Sequence, residues 1–430
     1  MKRVLIALAA IFFLAVRIVY LYARAPFFDE LYTLWMAGEP LASIVPHLLH
    51  DSGPPLYYVL ARIPSVIALR WVSLLFAGVT FVLVLRKFPL AAALLAVYPA
   101  AALYATEARA YALCGMLVAM GVLLLDEERP FAAMFELVLA AYAHYYGVLF
   151  FPLLLFRSAG VRAGWPGAVL GAGGRETRPR QPAGRRRSVA FLGALVLFIP
   201  GFLLAAHQPS EAMAWNVRPA YVVLLISVAI VALLARTWRF APAVLVPAAL
   251  VAAFALAGRN VYFPERFESV LAVPLVLWAA VSLERWRPAL RYALVAALMI
   301  GGVAVIARDV VDELRRPPDS RLRAARFAAG ANDVVAAGYC YLVARTTLGP
   351  RVHAFPAEQG EHPGWYTQPP MEVALAAAGS LPSNGFVFIG DAFTPELAAV
   401  QRVRRVQLRF REGTAVVLQV EPRGLTGTLH

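Results

Sequence analysis

Long apolar runs, separated by short clusters of arginine, glycine and proline, follow one another from residue 4 to residue 306. An apolar helix of about 20 residues spans the hydrocarbon core of a bilayer, and somewhat shorter ones do so inside multi-helix bundles. The runs at 4–22, 69–85, 89–105, 108–125, 131–143, 145–156, 189–206, 219–235, 240–257, 268–283 and 289–306 are therefore read as eleven membrane-spanning helices. The pattern changes after residue 307. The tail is rich in Arg, Pro and Gly, with strand-like runs at 385–390 and 415–420. Glu412-Gly413, between the runs 405–411 and 415–420, reads as a hairpin turn. The predicted fold class is an all-α polytopic membrane bundle, residues 1–307, followed by a small α/β domain, residues 308–430.

Composition agrees with this pattern. Hydrophobic residues make up 61% of the 430 positions and charged ones 15%, which is far too apolar for a soluble chain. The net charge of +14 does not point to nucleic acid, because many of the basic residues lie in short loops between apolar runs. Cys114 lies in an apolar segment and Cys340 in the tail, so no disulfide framework is expected. No zinc spacing, P-loop or dinucleotide fingerprint is present, and Gly171, Gly173 and Gly174 lie in a basic loop with no strand before them. Met1-Lys2-Arg3 before an apolar run resembles a secretory signal, and Ala23-Arg24-Ala25 a cleavage site. Pro26 follows at once, however, and the apolar run to Tyr22 is longer than a signal core, so the segment reads as an uncleaved first span.

Loop charge sets the orientation. With the N-terminus inside, the cytoplasmic loops hold 18 Lys and Arg against 7 in the short outer loops, the bias expected of that arrangement. The basic, Gly- and Pro-rich loop 158–187 then lies inside, against anionic lipid. The apolar stretch 54–68 would reverse every later loop if it crossed, so it is read as a helix lying in the outer interface, within a first outer loop of residues 23–68. Residues 308–430 fall outside, as an extracytoplasmic domain.

On that topology one membrane face collects Asp29 and Glu30, His50 and Asp51, Tyr57 and Tyr58, Tyr104, Glu107, Arg109 and Tyr111, His144, Tyr145 and Tyr146, Trp215 with Arg218, and Tyr262, Glu265 and Arg266. Each has a plain account alone: acids flanking a helix exit, an aromatic belt, a solvated loop, prolines starting a helix. Together they form a set with a shared chemistry. A carboxylate serves as general base on a hydroxyl. Arginines bind phosphate through paired N–H donors. Aromatic rings pack on sugar faces, and apolar helices hold a polyprenyl tail. A glycosyltransferase using a lipid-phosphate sugar needs all of these, and so does a lipid-phosphate phosphatase or a flippase; the residues alone do not separate them.

Four segments carry a resemblance. Phe28-Asp29-Glu30 after the first span resembles the acidic motif of the GT-C glycosyltransferases, in particular the family-39 branch of protein mannosyltransferases and lipid A aminoarabinose transferases. Asp51-Ser52-Gly53-Pro54-Pro55-Leu56-Tyr57-Tyr58 resembles that branch's Asp-x-His-Pro-Pro-Leu-Tyr-Tyr stretch, with Gly53 in place of the histidine. The stretch from Tyr104 through Glu107 and Arg109 to Tyr111 and Leu113 resembles its Tyr-x-x-Glu-x-Arg-x-Tyr-x-Leu motif, and His144-Tyr145-Tyr146-Gly147 its His-Tyr-x-Gly. Glu265-Arg266-Phe267 is similar to an outer-loop Arg-Tyr pair, with Phe267 in place of the tyrosine.

The resemblance implies an inverting GT-C glycosyltransferase of the cell membrane. It would move a sugar from a polyprenyl-phosphate monosaccharide to a glycan, lipid or protein hydroxyl at the outer face; protein is the least expected acceptor for a chain of this length. Asp29 would be the general base, with Glu30 beside it in the catalytic motif. Asp51, Tyr57, Tyr58, Glu107, Tyr111, His144, Tyr145 and Trp215 would bind substrate, and Arg109 and Arg266 the donor phosphate. No cofactor is required, since a lipid phosphate already leaves well; Asp29, Asp51, Glu107 and His144 are the residues that could converge on a divalent cation. The alternative, a polyprenyl-linked sugar translocase, predicts paired acids deep within spans rather than at their outer ends; the visible candidates there, Arg17 and Glu136, are few and on different helices.

Overall fold

The computed structural model describes residues 2–50, 53–156, 183–208, 237–257, 261, 263, 265–357 and 369–422. In chain order they form α1 (Lys2–Ala23), α2 (Phe28–Gly38), α3 (Ile44–Leu48), α4 (Leu56–Leu60), α5 (Val66–Lys87), α6 (Pro89–Ala96), α7 (Pro99–Tyr104), α8 (Tyr111–Asp126) and α9 (Pro130–Ala143). A 3-10 stretch (Tyr145–Leu155) precedes α10 (Ala183–Leu197), α11 (Ile199–His207), α12 (Ala241–Leu256), α13 (Arg266–Leu283) and α14 (Pro288–Arg315). The tail holds α15 (Ser320–Phe327), β1 (Val334–Ala337), α16 (Tyr339–Leu348), β2 (Val352–Phe355), α17 (Met371–Ala378), β3 (Phe386–Asp391), α18 (Pro395–Val403), β4 (Val406–Glu412) and β5 (Ala415–Val420). Two compact units result: Met1–Ala23, Gly53–Leu60 and Ile67–Leu314 in one, Arg24–Ser52, Ala61–Val66 and Arg315–His430 in the other.

The first unit is helical. Among the described residues, α1, α5, α13 and α14 are each long and apolar enough to cross a membrane, and the bent pair α10–α11 makes a fifth if counted as one span. Eleven is therefore not reached by length and composition. The predicted span 219–235 lies outside the described residues. Three other expectations change, each at a proline. The span 89–105 is two short helices, because Pro99 has no N–H to donate and holds Tyr98 extended (φ −79°, ψ 114°). The span 189–206 bends by 42° between α10 and α11, where Pro200 opens the second piece. The stretch 54–68 is not one interfacial helix: α4 ends at Leu60, and helix resumes only at Val66, beyond Pro64.

Helix α13 is the centre of this unit. It packs on α6, α7, α8 and α12, and most of its length is buried. Trp278 is fully buried there and donates its indole N–H to the Thr237 carbonyl at 2.9 Å. Arg239 grips both carboxylate oxygens of Asp126 at 2.8 and 2.7 Å, tying the loop before α12 to the end of α8; that bond and the Asp126 charge hold its guanidinium above its ordinary range against the cost of burial.

The second unit is built on a five-stranded sheet in the order β2-β1-β3-β5-β4. β1 runs parallel to β2 and β3, and β5 runs antiparallel to β3 and β4. The β4–β5 hairpin turns at Gly413, whose φ of +55° suits glycine, as the Glu412-Gly413 signal predicted. Phe355, Phe386, Phe388, Val400, Leu418 and Val420 fill its core. Helix α2, which follows the first apolar helix in sequence, belongs to this unit and packs on α16.

Candidate active site

The third motif is formed where the α6–α7 break delivers it. Helix α7 ends at Tyr104, a turn carries Glu107 and Arg109, and α8 begins at Tyr111. Glu107 is buried. Arg109 donates to the Tyr58 hydroxyl at 3.0 Å, so the second and third sequence motifs meet. Tyr104 and Tyr111 stack edge to face at 5.0 Å, and the Arg266 guanidinium lies 5.7 Å from the Tyr111 ring centre and 5.6 Å from that of Phe263.

The fourth motif closes the cluster. His144 leaves α9 with extended backbone (φ −154°, ψ 138°) and its Nδ1 accepts the Tyr146 amide at 3.2 Å. That bond fixes the neutral tautomer, since a protonated Nδ1 would face an N–H donor. Burial, and then the charges of Arg109 and Arg266, push the His144 imidazole down to about 3. Its ring lies 5.0 Å from Tyr111 and 4.5 Å from Tyr146. The Tyr146 hydroxyl accepts the Phe263 amide at 3.2 Å, and the ring of Tyr146 meets Phe267 at 5.4 Å. Gly147 is required: a Cβ there would collide with the main chain of Ala140 and Ala141. Just before Arg266, Glu265 adopts φ +68°, a costly conformation outside glycine.

Beside this cluster, Tyr145 donates to the Gln208 Oε1 at 2.8 Å, and Gln208 in turn donates to the Gly53 carbonyl at 2.8 Å and accepts from its amide at 3.3 Å. Gly53 sits at φ +126°, where any L side chain would be strained. Tyr57 is buried against α5, its hydroxyl 3.3 Å from the Ser73 Oγ. Tyr104 and Tyr111 also line an open pocket together with Phe13, Arg17, Thr80 and Ser269.

Asp29 and Glu30 belong to the second unit, in the first turn of α2, where carboxylates complement the helix dipole. Glu30 is fully buried and Asp29 half-buried. The Asp29 carbonyl accepts from the Thr33 hydroxyl at 3.1 Å. Asp51 and Trp215 lie outside the described residues. Among the described residues no three His, Cys, Asp or Glu side chains gather as a metal site. The first unit thus brings together Tyr58, Arg109, Tyr111, His144 and Arg266, with Glu107 in the same turn. Gln208 and Phe263 were not foreseen: each acts through a side-chain amide or backbone contact to residues far away in sequence, and neither stands in a motif.

No protein-family model matches the chain, and no curated protein does. The described residues form apolar helices broken by prolines, an arginine–tyrosine cluster and an α/β unit on the same chain, and likeness to a solved structure gives the fold as that of a GT-C membrane protein. The crystal structure of ArnT from Cupriavidus metallidurans in the apo state is similar to it, with a TM-score of 0.55 over 96% of this chain and 97% of that one, at 12% sequence identity. At that identity the likeness speaks for the fold.

Proposed function

We propose that this chain is a membrane glycosyltransferase that moves a sugar from a polyprenyl-phosphate monosaccharide to an acceptor hydroxyl, with inversion, at the outer face of the membrane. The observation that carries the reading is the arginine–tyrosine cluster: Arg109, Tyr58, Tyr111, His144 and Arg266 converge from four separate segments. One guanidinium over ring faces and one bonded to a phenol suit a phosphate joined to a sugar. As the glycosidic bond breaks, the phosphate oxygen gains charge, and fixed cations stabilise that charge more than the ground state. Neutral His144 offers a donor at Nε2 without adding a third cation. Asp29 accepts the proton of the acceptor hydroxyl, and Glu30 and Glu107 orient the reacting groups. The likeness in fold to ArnT supports the reading.

The buried cation Arg17 weighs against a translocase. Its guanidinium bonds main-chain carbonyls, and no ion pair to Glu136 is formed among the described residues. Transfer of labelled sugar from a synthetic polyprenyl-phosphate donor by the purified protein in nanodiscs tests the reading. Hydrolysis-free transfer to added envelope glycolipid is expected. Donor flipping in proteoliposomes without transfer to any acceptor would overturn it.

A further inference from the structure

We propose that Tyr339 is a positioning residue for the acidic helix α2, so that the C-terminal α/β fold itself holds Asp29 and Glu30 in place. The proposal rests on the reading of Asp29 as general base. Phe28, the first residue of α2, presents its ring to that of Tyr339 at 4.8 Å and 83°, an edge-to-face pair. Asp29 and Glu30 are the next two residues, so the contact fixes the turn on which both acids stand.

Tyr339 is itself held. β1 ends at Ala337, Gly338 turns the chain at φ +59°, and Tyr339 opens α16. Over the Tyr339 ring lies the Arg321 guanidinium, 5.4 Å from its centre. The Arg321 Nε reaches both carboxylate oxygens of Asp391 at 3.1 Å, at the end of β3, and the Thr414 hydroxyl donates to the same carboxylate at 2.7 Å. The chain of contacts therefore runs from β3 and β5 through Asp391, Arg321 and Tyr339 to Phe28. Its members sit at the carboxyl ends of parallel strands β1 and β3, where α/β sheets present their functional groups. An exposed surface aromatic would need neither the turn at Gly338 nor the arginine clamp. What these residues share is the first turn of α2.

The test is a set of purified full-length variants in nanodiscs, with transfer kinetics and hydrogen exchange of the segment 28–38. Tyr339→Ala should lower kcat by about 10- to 100-fold, the scale of a misplaced catalytic group, with the KM for donor unchanged and faster exchange in α2. Tyr339→Phe keeps the ring and should restore both. Phe28→Ala should act like Tyr339→Ala, and the double variant should be no worse than either, because both break one contact. Wild-type kcat and exchange in Tyr339→Ala, additive losses in the double variant, or equal damage from Tyr339→Phe would overturn the proposal. Asp29→Asn, run alongside, separates the two readings: if it keeps full transfer, the base assignment fails, while the exchange data still decide whether Tyr339 holds α2.

Discussion

Arg17 and Arg70 sit inside the helical unit and are 1% exposed, whereas Arg109 and Arg266 stand part-exposed in the aromatic cluster. The interior pair bonds main chain. Arg17 donates to the carbonyls of Phe13 at 3.1 Å and of Ala96 and Leu95 at 3.2 and 3.5 Å, at the end of α6; Arg70 donates to Leu21 at 2.9 Å, near the end of α1. Helix ends leave carbonyls without partners, and in an apolar medium these must be satisfied from elsewhere. In the cluster, Arg109 bonds a phenol and Arg266 lies over ring faces. The same side chain thus serves two ends: at a broken helix it completes the backbone, and beside tyrosines it would, on the proposed function, present charge to a ligand. The first use also supports the second, because the α6–α7 break that Arg17 closes delivers Glu107 and Arg109.

Substitutions should separate these uses. Arg17→Met removes the side-chain donor from the Ala96 carbonyl at the break, while the Leu95 carbonyl keeps only the Tyr98 amide, an expected cost of about 1–3 kcal/mol, read as a large drop in thermal midpoint and yield; Arg17→Lys, with one compact ammonium, should recover only part. An unchanged midpoint for Arg17→Met would erase the contrast between the pairs. Arg109→Ala and Arg266→Ala should instead keep the midpoint near wild type and raise the KM for the lipid-phosphate donor by about 10- to 100-fold, the worth of a charge-assisted contact. Arg109→Lys should fall between. Loss of folding without selective loss of donor use would place these two with the interior pair.

A smaller effect concerns His144. Its folded pKa, about 3, lies below the ordinary 6.5 of the unfolded chain, so between those values the unfolded state binds a proton that the folded state does not. Stability from this group is therefore complete above pH 6.5 and falls as the pH drops through that window. The thermal midpoint of wild type should decline more steeply on acidification than that of His144→Gln; equal slopes would show that His144 does not resist protonation in the folded state.

The helices were legible because an apolar run needs no partner to announce itself; α1, α5, α13 and α14 lie where the runs predicted. The breaks were not, although Pro64, Pro99 and Pro200 stood in plain view, because hydrophobicity continues across them while backbone hydrogen bonding does not. In the tail, β3, β5 and the Gly413 turn were legible from short apolar runs and turn chemistry. The four-residue strands β1 and β2 were not, since Val334–Ala337 reads equally well as helix. Motif residues could be named from spacing. Their supports could not: Gln208 lies 155 residues from Gly53, and Tyr339 far from Phe28, and nothing local marks either pair.

On the proposed function this chain transfers sugar with Asp29 as its base. Asp29→Asn keeps the size and hydrogen-bonding shape of the side chain but cannot take a proton at neutral pH. General-base assistance is worth about 10²–10⁴ in rate. Transfer from a synthetic polyprenyl-phosphate sugar by purified Asp29→Asn protein should therefore fall by about that range, with the donor KM and thermal midpoint near wild type and Glu30→Gln less affected. Near-wild-type transfer by folded Asp29→Asn protein would rule out that role for Asp29.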